Sequence, residues 1–251
     1  MRGDGLMIRS SLLVILGVII TAFISGMVII LSPLLKYGAN SVHRMANLWA
    51  KMMLFICGVK ADVIGGDNIP VSGPHIFMAN HQSNFDILFA LAYIPGQFRW
   101  IAKKELFLLP IFGKAMRRAE YIEIDRQNRE KALKGLDEAA LQVKQGKSLM
   151  TFPEGTRSRD GKIRPFKKGL FYLAIRSGVP IIPFSIVGSR EIMPRRSLRI
   201  RPRRVTIVID KPIDVKRFSI DRRDDLVQEV RGVIVRNFYK YKEDDQETRE
   251  E

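Results

Sequence analysis

The run Asn80-His81-Gln82-Ser83-Asn84-Phe85-Asp86 holds a histidine and an aspartate five positions apart. A neutral imidazole can take a proton from an alcohol when a carboxylate holds its other nitrogen, because that partner fixes the tautomer and favours the imidazolium that forms. The spacing restricts how the two can meet. On one continuous helix, five positions at roughly 100° each would turn Asp86 about 140° away from His81. The histidine must therefore stand in a turn, and the aspartate in the first turn of the helix that follows. The same residues also suit a plainer role, in which His81 and Asn84 cap a helix and Asp86 sits near the positive end of its dipole.

A second block, FPEGTRSRDGKIRPFKKG at residues 152–169, runs from a strand-like segment into a loop rich in cations. Gly155 permits close backbone approach, and Arg157 presents a planar fork suited to phosphate oxygens. The loop reads either as an anion cradle or as an ordinary turn with solvated charges, since Pro-Glu-Gly is good turn chemistry. In a third block, Lys103 and Arg126 each follow a strand-like run, at the strand ends where α/β folds usually build sites. The fourth, VPIIPFSI at 179–186, is apolar and reads as core or as the wall of an acyl-chain pocket.

Other chemistries lack their residues. There is no G-x-S-x-G elbow, and Cys57 lies in the apolar run MLFICG, so an acyl-enzyme has no evident nucleophile. No H-E-x-x-H, metal-type carboxylate cluster or P-loop occurs, and one cysteine makes neither a disulfide framework nor a zinc site. His43 and His75 have no partner at useful spacing and read as structural.

The elements that must position these residues fall into three parts, 1–58, 59–242 and 243–251. Residues 10–35 carry no charge, and a helix of that length, at about 1.5 Å per residue, exceeds the roughly 30 Å hydrocarbon core of a bilayer. Pro33, Lys36 and Gly38 end it, and a second helix at 40–56 repeats its apolar residues at three and four, with Arg44 and Lys51 able to snorkel. The two are read as a membrane-embedded hairpin on one side of the bilayer. Beyond Val59, short strands at 62–64, 76–78, 98–101, 122–124, 148–152, 181–186 and 205–209 alternate with helices at 85–92, 128–145, 168–176 and 222–239. That alternation predicts an α/β domain. Residues 243–251, with six acidic side chains and one arginine, read as a disordered tail.

The formal net charge is +16, and the last nine residues contribute −5, so the remainder stands at +21. So basic a body favours anionic partners, and the apolar N-terminal segment tilts the choice toward lipid headgroups. A membrane-tethered nucleic-acid-binding protein is the reading from another class, carried by Arg195, Arg196, Arg199, Arg201, Arg203 and Arg204. It lacks a reading motif and interleaved aromatics.

Taken in order, the four blocks resemble the glycerolipid acyltransferase family, and within it the bacterial 1-acyl-sn-glycerol-3-phosphate acyltransferases, over residues 59–214. The resemblance implies an α/β acyltransferase domain with a mixed central sheet flanked by helices. It implies acyl transfer from acyl-CoA or acyl-ACP to lysophosphatidic acid, with glycerol 3-phosphate or another lysolipid as the alternative acceptor. It carries the catalytic base onto His81 and its partner onto Asp86. Acceptor and phosphate binding fall on Glu154, Gly155, Thr156 and Arg157, with Lys103 and Arg126 as further basic positions and Pro180 on the acyl-donor side. The chain departs from many relatives in having Ala119 and Tyr121 where a glycine precedes the I-x-I-D-R strand, which bears on pocket shape. The same reading expects no metal, no bound cofactor and no nucleic acid. It expects membrane phospholipids and the thioester carrier as partners, at a cytoplasmic membrane with the catalytic domain on the cytoplasmic side.

Overall fold

The structure, a computed structural model, describes the backbone of residues 2–250 and the side chains of 5–128 and 130–243. Helix α1 (Arg2–Leu34) and helix α2 (Ala39–Cys57) come first, joined by a short turn in which Lys36 has positive φ. Gly58, also at positive φ, closes α2 and leads into β1 (Lys60–Ile64). There follow β2 (Ile76–Ala79), α3 (Phe85–Tyr93), β3 (Phe98–Lys103), α4 (Lys104–Phe107), α5 (Pro110–Arg118) and β4 (Ile122–Ile124). The chain continues through α6 (Arg129–Lys144), β5 (Ser148–Thr151), α7 (Lys168–Ser177), β6 (Ile181–Val187), α8 (Ser189–Ile192), β7 (Arg204–Ile209) and α9 (Arg223–Glu250).

The seven strands form one sheet in the order β1-β7-β6-β2-β5-β3-β4, parallel throughout except for the antiparallel pair β6–β7. Alternation along each strand sends side chains to two opposite cores. Phe77, Ala79, Ile182 and Phe184 face a layer completed by α2 and α3. Ile76, Met78, Leu149 and Ile181 face one completed by α6, α7 and α9. With both faces covered, the inner strands read as continuous apolar runs, and all seven residues of β6 are buried. That settles the VPIIPFSI block as core. Pro183 fits mid-strand because the ladder to β7 begins only at Phe184.

The mixed sheet flanked by helices is the expected architecture, and the expected strands and helices recur with ends shifted by a few residues. Two differences stand out. Residues 104–118, given no element in the sequence reading, form α4 and α5, with Pro110 at the first position of α5, where its missing N–H costs nothing. The tail read as disordered continues α9 through Glu250. Its Glu, Gln and Arg are helix formers with no Gly or Pro to stop them, and they extend a helix already anchored by Leu226, Val230, Ile234 and Phe238. Glu251 lies outside the described residues.

Among the described residues α1 alone is long and apolar enough to cross a membrane, with residues 5–34 in that class. It does not stand clear of the domain. Near its start Ser10 Oγ accepts from the backbone N–H of Ile200 at 2.9 Å, and near its end Val28 packs with Val42 and Ala119. Trp49 of α2 donates to Thr21 Oγ1 of α1 at 3.2 Å. Gly17 of α1 faces Met53 of α2, whose Cε would lie 2.8 Å from a Cβ built there. The outward face of α1 is apolar and exposed, with Ile8, Val18, Phe23 and Leu34 each more than 60% accessible.

Candidate active site

Strand order brings the chemistry together. β2 and β5 are hydrogen-bonded in parallel with Met78 opposite Thr151, so the segments leaving their C-terminal ends emerge side by side. One carries His81 and the other Glu154, Gly155, Thr156 and Arg157. β3 lies beyond β5 and β4 beyond β3, so Lys103 and Arg126 come to the same edge. This is the edge at which parallel sheets usually hold ligands.

His81 stands in the turn between β2 and α3, and Asp86 is the second residue of α3. His81 Nδ1 is 2.8 Å from Asp86 Oδ2. The same oxygen accepts the backbone N–H groups of Gln82 at 2.6 Å and Ser83 at 2.8 Å. With two backbone N–H groups already pointing at it, Oδ2 serves as an acceptor. Nδ1 must then carry its proton toward Asp86, which leaves Nε2 as the acceptor. The imidazole stacks on Phe152, ring centroids 4.1 Å apart and planes within 7°, so its orientation is held from the face as well as the edge. Of the plainer role only the place of Asp86 in the first turn of α3 is present, since Asn84 makes no side-chain cap and Asp86 bonds the N–H groups of Gln82 and Ser83, which precede the helix.

The rest of the first block fastens this turn. Asn80 bridges to β6, donating to the Ile186 carbonyl at 2.9 Å and accepting from its N–H at 2.8 Å. Gln82 donates to the Gly161 carbonyl at 3.0 Å and Ser83 to the Met193 carbonyl at 2.9 Å. The sequence reading passed over all three. Their signal was available: short polar residues packed between a buried strand and a buried helix need partners.

Glu154 is buried beneath the turn. Its Oε1 accepts the backbone N–H of His81 at 2.7 Å and its Oε2 that of Arg164 at 2.9 Å. Burial pushes its carboxyl up to about 7, against the lowering effect of these two N–H groups. Glu154 therefore joins the two loops, while Gly155, Thr156 and Arg157 reach the cavity wall. Ser158 strengthens the junction by donating its N–H to the His81 carbonyl at 2.8 Å. Gly155 turns the loop at φ 74, and Arg126 Nη1 donates to its carbonyl.

His81 opens onto a cavity of about 1000 Å³. Lys103, Arg126, Arg157 and Arg195 line it at the sheet edge, and most of the remainder is apolar, walled by the inner face of α1, by α2 and α3, and by α4 and α5. Among the described residues none of these four cations is in an ion pair. Such a chamber can take a molecule with an anionic head and a long apolar tail, and it places the boundary between them near a base. Pro180 and Pro183 do not line it. Tyr121 and Ala119 do, at the end where Val28 and Val42 close the chamber. His43 stays structural. It is fully buried, 3.1 Å from the Tyr121 hydroxyl through Nδ1, and held neutral with a pKa lowered to about 4 by burial and by Arg99.

Comparison with known proteins agrees with this architecture. A family model described as Acyltransferase matches residues 60–187. The chain is 33% identical over 225 residues to a 1-acyl-sn-glycerol-3-phosphate acyltransferase of Limnanthes douglasii, covering 88% of this chain and 78% of that one. It is 29% identical over 226 residues to the alpha form of 1-acyl-sn-glycerol-3-phosphate acyltransferase from Bos taurus, covering 86% and 78%. The crystal structure of the 1-acyl-sn-glycerophosphate (LPA) acyltransferase PlsC from Thermotoga maritima superposes with a TM-score of 0.83 at 29% identity, over 96% of this chain and 98% of that one. With the family model spanning half of its length and relatives above 30% identity along most of it, this chain belongs to the acyltransferase family that includes the 1-acyl-sn-glycerol-3-phosphate acyltransferases.

Proposed function

We propose that the protein transfers a fatty acyl group from acyl-CoA or acyl-ACP to the sn-2 hydroxyl of lysophosphatidic acid, giving phosphatidic acid. The observation that carries this reading is the 2.8 Å contact of His81 with Asp86 on the wall of a chamber that is cationic at the sheet edge and apolar along most of the rest. The cations hold the phosphate, and the apolar part holds hydrocarbon. His81 Nε2 takes the proton of the acceptor hydroxyl as its oxygen attacks the thioester carbonyl. The C–O bond forms, the C–S bond breaks, and the thiol leaves with the proton returned by the imidazolium. A thioester is already activated, so orientation and general-base help, worth about 10²- to 10⁴-fold, suffice without an acyl-enzyme, a metal or a resident cofactor.

The same reading seats the enzyme in one leaflet of the cytoplasmic membrane, catalytic domain on the cytoplasmic side. Its polar domain runs beside α1 from Ser10 to Val28, about 27 Å at 1.5 Å per residue, so a helix crossing the bilayer would drag that flank into hydrocarbon. The outward face of α1 meets lipid, and exposed Arg199 and Arg201 beside its first turns meet anionic headgroups. The basic surface draws in the phosphates of coenzyme A or the acidic acyl carrier protein.

The test is thioester consumption by the purified protein against lysophosphatidic acid, glycerol 3-phosphate and lysolipids with other headgroups, each with acyl-CoA and acyl-ACP. Lysophosphatidic acid is expected to be preferred, and His81→Ala to remove nearly all turnover. Equal use of the other acceptors would end the acceptor assignment.

A further inference from the structure

Four cations line the chamber at the sheet edge, and three of them lie in or beside the blocks already described. Arg195 does not. It follows β6 and α8, which places it at the same sheet edge as His81, because β6 is hydrogen-bonded in parallel to β2. It sits in a tight turn closed by the Ser197 N–H on the Pro194 carbonyl at 3.0 Å. The third residue of that turn, Arg196, has φ 68, a conformation that favours glycine and is uncommon for an arginine. The turn directs Arg195 to the chamber wall and leaves Arg196 exposed.

There Arg195 Nη1 donates to the carbonyl oxygen of Arg157 at 2.8 Å. That bond uses one of the five N–H groups of the guanidinium fork. Among the described residues the others have no protein partner, and no carboxylate pairs with the group. Desolvation, then the charges of Arg159, Arg157, Arg196 and Arg164, hold its pKa below the ordinary arginine value. A guanidinium tied to the backbone of a second arginine, surrounded by like charge and with no carboxylate partner among the described residues, is built to receive an anion.

We propose that Arg195 grips the phosphate of the lysolipid acceptor together with Arg157, and so sets the preference for phosphate-bearing over uncharged acceptors. This rests on the acyltransferase reading above. Both arginines approach one phosphate from loops that leave different strands, and the bond to the Arg157 carbonyl holds the Arg195 fork against the loop that carries the other.

The experiment compares the full-length wild type with Arg195→Ala, Arg195→Lys and Arg196→Gly in mixed micelles. Lysophosphatidic acid is varied, then monoacylglycerol, which offers a hydroxyl without a phosphate, and then the acyl thioester. Arg195→Ala is expected to raise KM for lysophosphatidic acid about ten- to a hundredfold, the range for a hydrogen bond to a charged group, with kcat and the KM for thioester little changed. The preference for lysophosphatidic acid over monoacylglycerol should fall by the same factor. Arg195→Lys should recover part of the loss as a point charge without the fork, and Arg196→Gly should keep the wild-type KM. An unchanged KM for lysophosphatidic acid overturns the proposal. So does a rise in the KM for thioester instead, or an equal loss on both acceptors, since that would mean Arg195 only supports the Arg157 loop. Failure of the wild type itself to use lysophosphatidic acid would refute the acyltransferase reading rather than this one.

Discussion

Replacing Asp86 with asparagine tests whether its charge, and not only its shape, serves the site. The Asp86 Oδ2 oxygen accepts from His81 Nδ1, from Gln82 N and from Ser83 N, and Oδ1 is buried without a partner among the described residues. An asparagine can put its carbonyl oxygen in the Oδ2 place and keep all three donors, so the turn and the tautomer survive. The negative charge does not. In the proposed mechanism His81 becomes an imidazolium during attack, and a unit charge about 4 Å away at an effective dielectric constant of about 20 is worth about 4 kcal/mol. That corresponds to roughly a 10³-fold fall in kcat. The amide nitrogen, meanwhile, takes the buried Oδ1 place with no acceptor, which costs stability about 1–3 kcal/mol. The assay is steady-state thioester consumption at saturating donor and acceptor, with KM for each and thermal unfolding of the same preparation. The expected outcome is a folded protein with a modestly lowered Tm, nearly unchanged KM values and kcat down by about three orders of magnitude. A folded Asp86→Asn protein with kcat within tenfold of wild type would refute the reasoning and leave Asp86 only as a brace of the turn that carries His81.

The remaining predictions concern the supports of the site. Because burial raises the Glu154 carboxyl from 4.5 to about 7, the folded state binds that proton more tightly than the unfolded chain. Its contribution to stability is therefore complete below about pH 4.5 and lost as pH rises through about 7. Denaturant unfolding across that window should show wild type losing stability relative to Glu154→Gln as pH rises, and a constant difference would sink the idea. Gly113→Ala sets a Cβ 2.2 Å from the Phe107 carbonyl oxygen, a backbone atom that cannot swing aside. It should destabilise the α4–α5 wall by about 1–3 kcal/mol, read as a shift in unfolding midpoint. Tyr121→Phe removes the hydroxyl facing His43 Nδ1 and leaves both ring nitrogens buried without partners, since Nε2 already has none. A loss of about 1–3 kcal/mol in thermal or denaturant unfolding is expected; no loss would mean that the 3.1 Å contact contributes nothing.

Much of the fold was legible because it rests on local periodicities. Alternation of short apolar runs with amphipathic stretches announced the α/β domain, and the uncharged segment announced α1. The α4–α5 region was not legible, because KELFLLPIFGKAMRR interrupts its own helical period with Pro110, and because its apolar side faces a chamber rather than a core. The tail was misread for a related reason. Its composition suggested disorder, whereas its continuity with the packed part of α9 decided for helix.

At the site, spacing alone required His81 in a turn and Asp86 in the following helix, since five residues of helix would part them. What sequence could not supply was adjacency between distant segments. Residues 81 and 154 meet because β5 inserts beside β2 in the sheet. Glu154 changed from an apparent ligand of the acceptor to a buried brace for the same reason: one of its partners is the backbone N–H of His81 from another loop, the other that of Arg164 further along its own. Arg195 was one arginine among many in the chain, and only the folded sheet edge, with Arg157 across a 2.8 Å bond and no carboxylate beside it, sets it apart. Residue type and local spacing determine which groups are able to react, but hydrogen bonding between non-consecutive strands determines which of them share a chamber.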